Sequence, residues 1–260
     1  MEIQPDLSLA VLPGASPSLL RRFLEAVALT APPAAVEVRA ILDPSAAAAG
    51  GLLEICPDLH LVPPRGRQPV AALGHCLQHA RGRYLSVWDP AVAIQPGCLR
   101  QVLDLLDERP EVGIAGPRLR SPDETPIPSG RSFHLLGPLL LGPTILGAWL
   151  PFLREPTPLI LPLSHDHADQ PVGWLLGAAV VLRRETFDEI GVPDPRLGLP
   201  LWSADLCQRA GLAGWQVVLA GRAEAVLLRP LTPAEAGQPR QPQWPAARLL
   251  LRAWRHRLGA

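Results

Sequence analysis

Apolar runs of strand length alternate with amphipathic stretches of helix length from Leu7 to Ala115, and this alternation sharply limits the folds open to the chain. Leu7–Leu12 ends at Pro13-Gly14, and Ser16 then opens a stretch with Leu19, Leu20, Phe23, Leu24 and Val27 on one helical face. Further strands are predicted at Val36–Leu42, closing on Asp43-Pro44, at Leu59–Val62, at Tyr84–Val87, ending in Trp88-Asp89-Pro90, and at Val112–Ala115. One helix is predicted over Val70–Arg81. Another has Pro96 at its first position, with Leu99, Val102, Leu103 and Leu106 at helical spacing. Strands joined through helices imply an α/β fold: a parallel sheet with right-handed crossovers and helices on both faces. Ligands of such sheets sit beyond the carboxyl ends of the strands, which puts Asp43 and Asp89 together on the ligand edge. The same two residues also read as ordinary turn formers.

A second block begins near Val172. Trp174–Leu182 is apolar and β-prone, Arg184–Ile190 is a short helix ending at Gly191, Ala204–Ala210 is another helix, and Trp215–Leu219 is a strand. Between the blocks, Leu135–Leu153 carries no charge, but Gly137-Pro138, Gly142-Pro143, Gly147 and Pro151 interrupt it. A lipid-spanning helix so broken needs neighbours to satisfy its freed backbone groups, so the segment reads as a buried loop or an interfacial one. Pro230–Pro245 reads as a proline-rich linker. Arg248–Leu258 sets Leu249, Leu250, Leu251, Trp254 and Leu258 against Arg248, Arg252, Arg255, His256 and Arg257, a basic amphipathic helix that suits a membrane surface or the domain's own sheet.

Composition removes several classes. Hydrophobic residues make up 48% against 18% charged, which excludes a disordered chain. Lys+Arg 24 balances Asp+Glu 24, every cation is Arg, and a nucleic-acid binder would carry a basic excess. The four cysteines, at 56, 76, 98 and 207, are too scattered for a zinc knuckle or a disulfide framework, and Met1–Asp6 lacks a basic n-region. A cytoplasmic protein is expected. His75 and His79 are four apart on a predicted helix without an identifiable third ligand, and His165-Asp166-His167-Ala168-Asp169 reads as a solvated loop.

The order of segments resembles a known family. Ala80-Arg81-Gly82-Arg83-Tyr84-Leu85, Trp88-Asp89-Pro90-Ala91-Val92, Gln95-Pro96-Gly97 and Pro110-Glu111-Val112-Gly113-Ile114-Ala115-Gly116-Pro117-Arg118-Leu119 resemble the family 2 glycosyltransferases of the GT-A fold, especially the rhamnosyltransferase-like branch. Trp174-Leu175-Leu176-Gly177-Ala178-Ala179, Arg183-Arg184, Phe187, Ile190-Gly191, Asp194, Asp205-Leu206-Cys207 and Ala213-Gly214-Trp215 resemble that family's acceptor side. The resemblance implies a Rossmann-like, mostly parallel central sheet flanked by helices, with a smaller acceptor-side half. In its terms residues 1–230 form one GT-A domain: a nucleotide-side half over about 1–120, a Pro/Gly-rich apolar segment over about 133–163 and an acceptor-side half over about 172–230. Residues 231–260 would be the linker and C-terminal helix. It further implies a nucleotide-diphosphate sugar, Mg²⁺ or Mn²⁺ held by an aspartate motif after the fourth strand, and a carboxylate base for the acceptor hydroxyl.

The chain departs from the family where that chemistry resides. The strand-ending Asn/Asp-Pro-Asp is Asp89-Pro90-Ala91 here, which leaves Asp89 as the only remnant of the metal site. Glu-Asp-x-Asp-Leu is matched by Trp202-Ser203-Ala204-Asp205-Leu206, so Trp202 and Ser203 stand at the base position and Asp205 reads as a structural carboxylate near a helix terminus. Thr-Tyr-Asn after the first strand is Pro13-Gly14-Ala15, Asp-Asn-x-Ser is Asp43-Pro44-Ser45-Ala46, Gly-Phe-Ala and the later Asn fall on Gln68-Pro69-Val70 and Gly74, and an acidic position before Trp174 is Gly173. Two readings follow. One is a scaffold or partner subunit on the inner face of the plasma membrane, with Trp149, Arg252, Trp254 and Arg255 at the membrane or partner contact. The other is a divergent transferase in which Asp43, Asp89 and Arg83 hold the nucleotide sugar, with or without Mg²⁺ or Mn²⁺.

Overall fold

A computed structural model describes residues 5–13, 16–30, 36–43, 51–56, 59–63, 68–132, 168–236, 247–249 and 252. Strands β1 (Leu7–Val11), β2 (Val36–Ile41), β3 (His60–Val62) and β4 (Tyr84–Trp88) pair in parallel in the order β3-β2-β1-β4. They are linked by α1 (Pro17–Thr30), α2 (Leu52–Ile55) and α3 (Pro69–Gln78). Strand β1 is buried along its whole length because it is flanked on both edges and covered on both faces, which is why it reads as an unbroken apolar run. Its side chains still alternate: Leu7, Leu9 and Val11 join one hydrophobic cluster, Ala10 and Leu12 the other. The first cluster takes in Leu20, Phe23, Leu24 and Val27 of α1, the stripe expected from the sequence, and Leu99, Val102 and Leu106 of α4 (Cys98–Glu108). The second takes in α3, Phe187 of α5 (Arg184–Ile190) and Trp202, Leu206 and Ala210 of α6 (Trp202–Leu212). The fold is thus a central sheet between two layers of helix.

The second block completes the same sheet. Strand β5 (Val92–Ile94) follows β4 closely, β6 (Val112–Arg120) runs well past the predicted Ala115, and β7 (Pro126–Ile127) folds back on β6. Short β8 (Gly130–Arg131) pairs with β10 (Trp174–Leu175) apart from the main sheet, and β9 (Gln170–Pro171) pairs with β12 (Gln216–Leu227). Strand β11 (Ala179–Arg183) lies between β4 and β6, antiparallel to both, and β12 lies between β6 and β5. Trp174–Leu182 is therefore two strands in two sheets, divided at Leu176–Ala178. A Cβ on Gly177 would stand 2.5 Å from Trp202 Nε1, so the chain turns where only glycine fits over the indole. Pro96 does not open α4. Gly97 caps that helix at φ 79°, a left-handed conformation open to glycine, and Pro96 precedes the cap.

At the amino ends of the strands, Glu37 faces Ser8 across the β1–β2 ladder and accepts from the Arg39 guanidinium at 2.7 Å and the Arg81 amide at 2.9 Å. Burial pushes the Glu37 carboxyl up, but the Ser8 hydroxyl, the Arg81 amide and Arg39 together outweigh it and hold it below the ordinary glutamate value. A lowered folded pKa contributes stability that is complete above the unfolded value and is lost as pH falls through the folded one. Glu37→Gln should therefore lose less stability than the wild type between pH 7 and pH 3, measured by urea unfolding at both. An equal loss in the two chains would contradict this.

No helix among the described residues is long and apolar enough to cross a membrane. Leu135–Leu153, including Trp149, lies outside the described residues, as do His165, Asp166, His167, Trp254 and Arg255.

Candidate functional site

The carboxyl ends of β1 and β4 open onto a cavity of about 340 Å³. Its walls are mainly apolar, from Leu12, Leu19, Ala91 and Leu176, and its polar groups come from Asp89, Arg229 and Glu235. A mostly apolar recess with a few convergent polar groups is the common form of a small-molecule site.

Asp89 is fixed by its turn. Its amide donates to Ala178 O at 2.8 Å, its carbonyl accepts from the Val92 amide at 2.9 Å, and Oδ1 accepts from the Ala91 amide at 2.8 Å. Oδ2 accepts from Arg229 Nε at 2.8 Å. Pairing of β12 with β5 brings the two together: Leu227 registers with Val92, and the Leu228 amide donates to Ala91 O at 2.8 Å. Arg229 next grips Glu235 with both ends of its fork, Nη1 to Oε2 at 2.8 Å and Nη2 to Oε1 at 2.7 Å. Glu235 closes a small capping turn, accepting from the Thr232 amide at 2.8 Å and donating its own amide to Thr232 Oγ1 at 3.3 Å. Arg131 donates to the Glu235 carbonyl, which ties the turn to β8. Burial raises the Glu235 carboxyl, yet Arg229 and the Thr232 amide bring it below the ordinary value. The bond to Glu235 heads the causes that push Arg229 upward, with Asp89 adding to it.

The predicted site residues are only partly gathered here. Asp43 follows β2 on the same sheet edge as Asp89, with β1 between their strands, but it does not line the cavity. Arg83 precedes β4, at the other end of that strand from Asp89, where its guanidinium meets Asp107 at 2.5 Å and lies over the Tyr84 ring. The two are not brought together. Trp202 and Ser203, at the first turn of α6, are both wholly buried, and Ser203 Oγ donates to Leu175 O at 2.8 Å. Trp202 Nε1 has no hydrogen-bond partner among the described residues.

Asp205, also wholly buried, accepts from the Asp194 amide at 2.9 Å, from Arg209 at 2.8 Å and from Arg252 at 2.5 Å. Arg252, expected at a membrane or partner, is thus committed to the protein's own core. Leu249 beside it is buried, with its carbonyl accepting from Gln208 at 2.8 Å. The physical reason is that α6 presents a buried carboxylate that an arginine must neutralise. His79 Nδ1 lies 2.9 Å from the carbonyl of His75, and no group of three metal-capable side chains occurs among the described residues.

Arg229 and Glu235 went unnoticed in the sequence, Glu235 falling within the supposed linker. The signal present was Thr232-x-x-Glu235, the spacing of a capping box, which marks order rather than a flexible tether.

No protein-family model matches the chain. It is 31% identical over 164 residues to the N-acetylglucosaminyl-diphospho-decaprenol L-rhamnosyltransferases of Mycobacterium tuberculosis strains CDC 1551 / Oshkosh and ATCC 25618 / H37Rv, a match covering 60% of this chain and 52% of each relative. The chain thus spans about half the length of the curated relatives it matches. Its fold is similar to that of the mannosyltransferase PcManGT from Pyrobaculum calidifontis, solved with GDP-Man and Mn²⁺, at a TM-score of 0.60 and 17% identity over 88% of this chain and 58% of that one. It is also similar to GalNAc-T7, solved with UDP, GalNAc and Mn²⁺, at 0.61 and 13% over 89% and 45%. The chain has the fold of GT-A glycosyltransferases and is similar in sequence to these rhamnosyltransferases over 60% of its length.

For a glycosyltransferase of this fold the strand-end aspartate is the expected metal ligand, and the residues present do not fit a metal. Oδ2 of Asp89 is taken by a guanidinium, the neighbouring position is the methyl of Ala91, and the second carboxylate of the cavity, Glu235, is bound to the same guanidinium. A divalent cation would have to approach a fixed positive charge to reach either one. The base position fares no better, since Trp202 and Ser203 carry no carboxylate and face the core.

Proposed function

We propose that this chain is a glycosyltransferase relative that does not transfer sugar and serves as a scaffold or partner subunit. The observation that carries this reading is the closed charge chain Asp89–Arg229–Glu235. Asp89 and Glu235 contribute two negative charges against the one positive charge of Arg229, so a diphosphate entering the cavity meets a net negative site. Nor is Glu235 a serviceable base. Proton abstraction is fastest from a group with a pKa near the working pH, and Arg229 holds this carboxyl below its ordinary value. The curated relatives are named for action on a decaprenol-linked sugar; a subunit accompanying such chemistry would work beside the inner face of the membrane.

The test is a thermal-shift panel of UDP-, dTDP- and GDP-sugars, each with Mn²⁺ and with EDTA, followed by an assay for released nucleoside diphosphate. A ligand at 100 times its Kd stabilises the folded state by about 2.7 kcal/mol, a rise of several degrees for a chain of this size. We expect no rise and no release. A clear rise together with sugar-dependent nucleotide release would overturn the reading.

One observation favours the divergent-transferase alternative: the cavity is open and bordered by Glu235, a carboxylate the motifs did not announce. In that reading nucleotide release is measurable in the wild type and abolished by Glu235→Gln.

A further inference from the structure

We propose that Arg229 is the resident cation of the cleft, a guanidinium standing in the electrostatic place of a divalent metal, and that Asp89 and Glu235 form a latent metal-binding pair which this single side chain masks. The inference rests on reading Asp89 as the family's strand-end aspartate. It goes beyond loss of activity, because it describes an exchange of one cation for another rather than erosion of a site.

Three features support the exchange. Both carboxylates are held independently of Arg229: Asp89 by the Ala91 amide, Glu235 by the Thr232 amide at 2.8 Å. Removing the guanidinium therefore leaves two anchored carboxylates that both bordered its former volume, Asp89 at its Nε edge and Glu235 at its Nη end, and carboxylate oxygens are the ligands that Mg²⁺ and Mn²⁺ prefer. Arg229, for its part, follows directly on the β12–β5 ladder and the Leu228 amide bond to Ala91, which delivers its side chain to Asp89. Finally, the side chains of Asp89 and Glu235 are only 13% and 11% exposed against 30% for Arg229. Two nearly buried carboxylates without a counter-ion repel each other and are poorly solvated, a condition relieved by a bound cation.

The experiment measures Mn²⁺ binding by the loss of the free-ion EPR signal and by the Mn²⁺-dependent change in melting temperature. The proteins compared are wild type, Arg229→Met, Arg229→Lys and the double variant Arg229→Met/Asp89→Asn. Wild type and Arg229→Lys should ignore Mn²⁺ and EDTA alike. Arg229→Met should bind Mn²⁺ at least about tenfold more tightly and melt higher in its presence, and the double variant should lose that gain. Should Arg229→Met fail to fold, the shorter neutral Arg229→Gln is measured in its place. Wild-type binding as tight as that of the variant would overturn the proposal, as would a folded Arg229→Met indifferent to Mn²⁺. Sugar transfer by the wild type in EDTA would instead overturn the non-catalytic reading and leave the resident cation standing.

Discussion

Trp202→Ala is expected to lower the stability of the chain by about 3–5 kcal/mol, the range for truncating a wholly buried tryptophan. The indole is fully enclosed among Leu206, Leu201 and the apolar residues of the second cluster, and Gly177 packs directly against Nε1. Alanine would leave a cavity at the junction of α6 with the β10–β11 turn, which the surrounding strands are too rigid to fill. For a chain of this length the melting temperature should drop by on the order of 10 °C. Urea unfolding checks the value; a loss under about 1 kcal/mol would mean that the site collapses around the smaller side chain. The same packing decides a second outcome. Trp202→Glu places a carboxyl at the family's base position, yet it should abolish folding instead of restoring a base, because that position lies within the core.

Asp205→Ala comes next in size, at about 3 kcal/mol. This carboxylate joins three segments: the Asp194 amide of the loop before α6, Arg209 one turn along α6, and Arg252 from the C-terminal end. Its removal strands two arginines, but their side chains are 21% and 30% exposed and regain water, which places the effect at the low end of the range for a broken buried pair. Asp205→Asn, which still accepts from the Asp194 amide, should cost less. A double-mutant cycle with Arg252→Met should return a coupling of about 1 kcal/mol or more, and limited proteolysis should clip the C-terminal end of Asp205→Ala first. Additivity in the cycle would show that Arg252 merely lies nearby.

These two residues illustrate how unevenly the chain disclosed itself. The stripe of α1 and the all-buried β1 were legible because periodicity records which faces are covered. Asp205 reads as structural from its place on the helix, and it is buried and hydrogen-bonded to three segments, whereas the pattern around its partner Arg252 suits a membrane surface and the domain's own sheet equally. A basic amphipathic stretch has the same pattern whether its arginines meet phosphate headgroups or a buried aspartate. The division of Trp174–Leu182 into two strands was hidden for a similar reason. An apolar run reports burial but not the sheet in which it is buried.

Local pattern alone therefore determined the strand-and-helix order, the edge on which Asp43 and Asp89 stand, and the absence of carboxylates at Ala91, Trp202 and Ser203, since each depends on neighbours within a few positions. Only the tertiary structure decided that β11 enters between β4 and β6 and that Arg229 reaches Asp89 from 140 residues away. Ladder register and charge neutralisation are settled between distant segments when the sheet closes, and no periodicity along the chain encodes which arginine will arrive beside which aspartate.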